Sequence, residues 1–173
     1  GKQVLGYPII GTDDEIANYA DSCEFVITVG FIKDPSLRIK LYDRVLDNGG
    51  KLATLVASTA YVSRHARLGQ GTVVMHHAFV NAGAEVGVNV ILNTCSNIEH
   101  GVHIGSQCHV STGVMVNGDC QVGDNCFIGS QSVLANGVSV CNDVLVGAGS
   151  FVRKSILAPG VYSGNPAILK VKR

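Results

Sequence analysis

Every sixth residue from Val56 to Val152 is Val, Leu or Ile, seventeen positions without an exception. Helices repeat about every 3.6 residues and ordinary strands every 2 or so, so neither produces a strict period of six. Strand–turn units of six residues do produce it, each turning one apolar residue into a core shared with its neighbours. One such unit buries nothing alone, so the units must stack.

Glycine follows the apolar position at Gly69, Gly87, Gly105, Gly123, Gly129 and Gly147. Four of the five gaps are 18 residues and one is 6. Three hexads then make one triangular coil, and residue i stacks under residue i+18 at a strand spacing of about 4.8 Å. Seventeen hexads give between five and six coils. The expected architecture is mostly β, a parallel β-helix over 57–173, with its glycines at turns.

Composition narrows the function. Lys plus Arg and Asp plus Glu are 13 each among 173 residues, so no basic excess points to nucleic acid or an anionic membrane. No apolar run reaches membrane-spanning length and no signal-peptide pattern is present, so membrane insertion is not expected and the localisation reads as cytoplasmic. The six cysteines form no CxxC and no zinc-finger spacing. Cys108, Cys120 and Cys126 fall at a small inward position of the repeat and read as buried hydrophobes.

The front unit, residues 1–56, lacks the period until its last residue, Val56. Thr12 ahead of Asp13, Asp14 and Glu15 reads as a helix N-cap, with that helix ending near Tyr19. Glu24–Gly30 reads as a buried strand closed by a glycine. Asp34 and Pro35 start a second helix, with Leu37, Leu41, Val45 and Leu46 expected inward and a stop at Asn48-Gly49-Gly50. Lys51–Val56 reads as a second strand. A strand–helix–strand unit implies a parallel pair, and ligands of such sheets bind at strand carboxyl ends, here Gly30 and Phe31. Gly30 has a second reading as a plain turn residue.

Residues just before the inward positions point outward, and sorting them by 18 separates three faces. The first reads Val73, Ile91, His109, Phe127, Leu145; the second Tyr61, Phe79, Asn97, Met115, Val133, Phe151; the third Arg67, Glu85, His103, Gln121, Ser139. Two faces are apolar. A solvated monomer should not present two such stripes, whereas a head-to-tail threefold ring buries two different faces of each subunit. A homotrimer is expected.

The run Asn93-Thr-Cys-Ser-Asn-Ile-Glu-His100 resembles the motif around the catalytic histidine of the PglD/NeuD-type sugar acetyltransferases, members of the hexapeptide-repeat acyltransferases. The likeness spans essentially the whole chain, from the α/β unit to Ser163-Gly-Asn-Pro-Ala167. It implies a left-handed β-helix preceded by a small Rossmann-like unit, acetyl-CoA as cosubstrate and a sugar or nucleotide sugar as acceptor. It implies His100 as general base and the Gly118 N–H as oxyanion donor, with Glu99 beside them. It implies acetyl-CoA contacts at His109, Ser130 and Ala148, and acceptor contacts at Asn93, Gly30 and Phe31. Glu99 has a second reading as a solvated turn carboxylate.

The resemblance has two departures. Relatives often carry an acid immediately after the catalytic histidine, where this chain has Gly101. The family's Gly-rich nucleotide-sugar loop is not present, and the chain opens at Gly1 in what reads as mid-domain, so an N-terminal piece is expected to be missing. The fold also resembles the γ-class carbonic anhydrases, whose zinc takes two ligands close together and a third about two coils away; no two of the six histidines here lie 36 apart and the short pairing is missing, so no metal is expected. Cys95 is not expected to be a nucleophile. The favoured activity is N-acetylation of a UDP-linked 4-amino sugar. Sialic acid O-acetylation is the alternative, and a non-catalytic β-solenoid scaffold is the reading from a different class.

Overall fold

The computed structural model describes residues 2–172. From Leu55 onward the chain winds into a triangular parallel β-helix. Each hexad contributes a two-residue strand and a corner. The first wall stacks Leu55–Val56, Val73–Val74, Ile91–Leu92, His109–Val110, Phe127–Ile128 and Val144–Val146. The second runs from Tyr61–Val62 to Phe151–Val152, and the third from Arg67–Leu68 to Ser139–Val140. Register is the expected 18 throughout, for example His109 against Phe127 and Asn97 against Met115. The three outward faces are those expected from the spacing.

The period exists because each coil interior is dry. Val74, Val80, Leu92, Ile98, Ile104, Val110, Val116 and Ile128 are all at most 1% exposed. Cys108, Cys120 and Cys126 line the same interior as free thiols. Leu and Ile side chains buried this way each contribute roughly 1.5–3 kcal/mol.

The repeat glycines do a different job from the one expected. The left-handed turn conformation falls three residues after each inward apolar residue, at every such position from Gly71 to Gly149, and Asn89, Cys95, Asp119 and Gln131 share it with glycines. The glycines that directly follow the apolar residue have no such φ. They are small because successive coils touch there: a Cβ on Gly69 would lie 2.5 Å from the Gly87 carbonyl carbon.

The front unit is shorter in its strands than expected. Glu24–Phe25 pairs in parallel with Lys51–Leu52, and the run to Val56 breaks there, because Leu55–Val56 pairs instead with Val73–Val74 as the first rung of the solenoid. Asp13–Glu15 is a 3₁₀ turn leading into α1 (Ile16–Tyr19), and Thr12 precedes it in extended conformation without a side-chain cap bond. The second helix, α2 (Ser36–Asp47), is started by Asp34, whose Oδ1 accepts from the Ser36 N–H at 2.9 Å. Its buried face is Arg38, Tyr42 and Val45; Leu37 and Leu46 are exposed. The helix packs on the solenoid corner at Asn89 as well as on its own sheet, and that turns the i, i+4, i+7 row inward.

The first wall is also less bare than its sequence suggested. Phe31 from the front unit and Val161 from the C-terminal hairpin (Gly160–Ser163 with Ile168–Lys172) pack on Phe127 and Leu145, leaving each of these two 8% exposed. Part of one apolar stripe is thus covered within the chain. On the second wall Tyr61 stacks on Phe79 at 5.1 Å and stays 56% exposed, and Met115 stays 37% exposed.

Candidate active site

The expected site residues form two groups. The first stands at the corner between the second and third walls. His100 lies there with its side chain 62% exposed, and Glu99 Oε2 is 3.6 Å from its Nδ1. Glu99 is gripped from both sides: Asn81 Nδ2 donates to Oε2 at 2.7 Å and Asn97 Nδ2 to Oε1 at 3.1 Å. Those hydrogen bonds hold the Glu99 carboxyl below its ordinary pKa, so it is a carboxylate at neutral pH. Gly118 stacks one coil on, and a Cβ there would lie 2.7 Å from both Cε1 and Nε2 of His100. Glycine at 118 is therefore what leaves the imidazole its place. The carboxylate on the Nδ1 side favours the tautomer with Nδ1 protonated, which leaves the Nε2 lone pair on the Gly118 side.

Gly101, where relatives carry an acid, has φ +65°, and a Cβ would lie 2.3 Å from Asp119 Oδ1. An acidic residue there would have to take a left-handed backbone and would face the exposed Asp119 carboxylate, and the charge beside His100 comes from Glu99.

The second group lies on the first wall. His109 Nδ1 is 2.8 Å from the Phe31 carbonyl, and its Nε2 is 3.3 Å from Asn93 Nδ2. Only Nδ1–H can serve the carbonyl, so Nε2 accepts from Asn93 and the ring is neutral. Burial pushes the His109 pKa down, the Phe31 carbonyl pulls it up, and the Arg38 charge lowers it further. Phe31 and Phe127 close on the ring edge-on, at 5.8 and 5.2 Å. A cavity of about 440 Å³ opens beside it, lined by Ile27, Thr28, Gly30, Met75, Asn93 and His109 among others. Ser130 stands one coil further on at the edge of this wall, its Oγ 2.8 Å from Ser111 Oγ, with Ala148 stacked beyond it and exposed.

In a triangular coil the corner between the second and third walls is opposite the first wall. His100, Glu99 and Gly118 therefore face away from His109, Asn93, Gly30 and Phe31 of the same chain.

Comparison with known proteins bears on the fold and the family. The family described as hexapeptide repeat of succinyl-transferase matches residues 79–117 and 121–154. The acetyltransferase domain of PglB from Neisseria gonorrhoeae FA1090, solved with acetyl coenzyme A, is 28% identical at a TM-score of 0.92, covering 97% of this chain and 81% of that one. PerB from Caulobacter crescentus, solved with CoA and GDP-perosamine, is 30% identical at a TM-score of 0.90, covering 96% and 80%. This chain belongs to the hexapeptide-repeat acyltransferases. WeeI from Acinetobacter baumannii AYE, 20% identical with a TM-score of 0.75, shares the fold.

Within this acyltransferase, sequence reading missed three residues that shape the site. Asn81 was findable, since it stands 18 before Glu99 and so stacks beneath it. Asn97 was placed on an apolar stripe, where its bond to a neighbouring acid does not show. Arg38 carried no signal, because a basic residue on a surface helix normally faces water. Among the described residues no group of three or more His, Cys, Asp or Glu is placed to hold a metal ion. Among the described residues no helix is long and apolar enough to cross a membrane.

Proposed function

We propose that this protein transfers an acetyl group from acetyl-CoA to the amine of a nucleotide-linked 4-amino sugar, with His100 as general base. His100 Nε2 takes a proton as the amine attacks the thioester carbonyl. The oxygen gains charge and is met by the Gly118 N–H; the C–S bond then breaks and the thiolate receives the proton from His100. Base catalysis of this kind supplies roughly 10²–10⁴-fold, and a preorganised N–H donor a further factor of similar size. The observation that carries the reading is the His100 corner itself: an exposed imidazole, an ionised carboxylate on one nitrogen and a glycine cleared for the other.

His109, Ser130 and Ala148 are the proposed contacts for acetyl-CoA, and Gly30, Phe31 and Asn93, around the 440 Å³ cavity, those for the acceptor. These residues sit on the face opposite His100, so one chain does not hold a complete site. A head-to-tail homotrimer supplies it, setting the His100 corner of one subunit against the first wall of the next. The exposed Tyr61 and Met115, with half-buried Phe79 between them, give that ring an apolar seam.

The test is release of free CoA thiol from acetyl-CoA with UDP- and GDP-linked 4-amino sugars, set beside free and CMP-activated sialic acid. Turnover on an amino sugar is the expected result. Turnover on sialic acid alone moves the protein to O-acetylation. No thiol release with any acceptor, and no thermal shift with acetyl-CoA, leaves a scaffold.

A further inference from the structure

Arg38 is 1% exposed on the inner face of α2, and its hydrogen-bond partners are carbonyls, not carboxylates. Its Nη1 donates to the Ile27 and Val29 carbonyls at 2.7 and 2.8 Å, and its Nε to the Asn89 carbonyl at 3.2 Å. Among the described residues Nη2 has no partner. Burial brings the guanidinium pKa down to about 10. Burying a guanidinium without a counter-charge is costly, and an apolar residue of similar size would fill the space more cheaply. What only the guanidinium does is grip three backbone oxygens at once, two from the front segment and one from a solenoid corner.

The gripped segment leads directly to the site. Two residues past Val29, the Phe31 carbonyl accepts from His109 Nδ1. Ile27, Thr28 and Gly30 line the cavity in which His109 and Asn93 also stand. Phe31 itself is anchored on Phe127 and Leu145, so the segment is held at both ends.

We propose that Arg38 is a positioning residue: by fixing residues 27–31 against the solenoid it sets the Phe31 carbonyl, and with it the tautomer and orientation of His109. Its effect on catalysis rests on the reading of His109 as an acetyl-CoA contact; its effect on the ring does not. Losing the clamp frees the carbonyl, lets the Nε2–H tautomer form and turns away the nitrogen that accepts from Asn93.

Nitrogen NMR of the His109 ring reads this directly. Wild type should show one tautomer with Nδ1 protonated. Arg38→Met should show both tautomers, and the KM for acetyl-CoA should rise about 10-fold with a smaller change in kcat. Arg38→Lys keeps the charge but loses the fork, and should also mix the tautomers. Val45→Ala removes a buried neighbour on the same helix without touching the clamp, and should leave the wild-type tautomer. If Arg38→Met unfolds the front unit, the Lys and Val45→Ala pair decides. A wild-type ring in the Arg38 variants, or equal mixing in Val45→Ala, overturns the proposal. Mixed tautomers with an unchanged KM keep the link from Arg38 to His109 and overturn the role given to His109.

Discussion

The two histidines stand on one hexad ladder, His100 at a corner and His109 in a strand of the first wall, and differ in almost everything else. His100 is mostly exposed, beside an ionised carboxylate and under a glycine. His109 is enclosed by Phe31 and Phe127, donates to a carbonyl and accepts from an amide. Such surroundings suit the two roles proposed for them. A proton carrier needs an open edge and a partner that tolerates its charged form, which Glu99 gives to His100. A neutral, fixed imidazole with its charged form suppressed suits holding a ligand, and burial gives that to His109.

His100→Ala should break that comparison most sharply. Loss of the proposed base should lower kcat by about 10²–10⁴-fold while acetyl-CoA affinity stays within about twofold. Steady-state kinetics and calorimetry check both numbers, and equal loss of both would remove the division of roles. Gly118→Ala comes next. Its methyl would sit 2.7 Å from the ring, so His100 must swing outward. A fall in kcat of about 10²-fold is expected, on the scale of a displaced reacting group. Gly118 is buried, but the nearest atoms its methyl would meet belong to the exposed His100 ring, which can give way, so the thermal midpoint should move little.

The solenoid half of this arrangement was legible because stacking converts sequence distance into space. A period of six gives the interior, and a period of eighteen gives neighbours. Gly118 over His100 follows from that arithmetic alone. The front unit has no such ruler. Its buried helix face is Arg38, Tyr42 and Val45, where apolarity alone points to leucines. A helix packed against two bodies takes its orientation from both, and the second body is distant in sequence. For the same reason the Phe31–His109 contact, 78 residues apart, leaves no trace in any spacing. The glycine rows were legible as a pattern but not in cause. Close coil approach and left-handed turns both select glycine, and only coordinates separate them.

Two smaller effects sharpen the contrast. Glu99→Gln keeps the shape and an acceptor but removes the charge that pairs with His100, and should lower kcat about 10-fold, near 1.4 kcal/mol of barrier. His109→Ala should do the opposite in kind, raising the KM for acetyl-CoA about 10-fold with a smaller effect on kcat. If the two substitutions alter the same kinetic constant, the two environments do not correspond to two roles.

The smallest effect is on stability in acid. The Asn81 and Asn97 amides hold the Glu99 pKa below its ordinary value of 4.5. In the window between the lowered folded value and 4.5 the unfolded chain binds more protons, so stability there rises with pH. The contribution from Glu99 is therefore complete above about pH 4.5, and is lost as the pH falls through the folded pKa. Thermal melts of wild type and Glu99→Gln should differ by a constant amount from pH 6 to 8, roughly the neutral range. The gap should close below about pH 4.5. Asn93 bonds to His109, whose own pKa is lowered, so any acid dependence of the Asn93→Ala gap should follow His109 and persist when Glu99 is also replaced by Gln. An acid-dependent gap in Asn93→Ala that disappears when Glu99 is also replaced by Gln would show that the two halves of the site share a titrating group, and the separation of carrier from holder would fail.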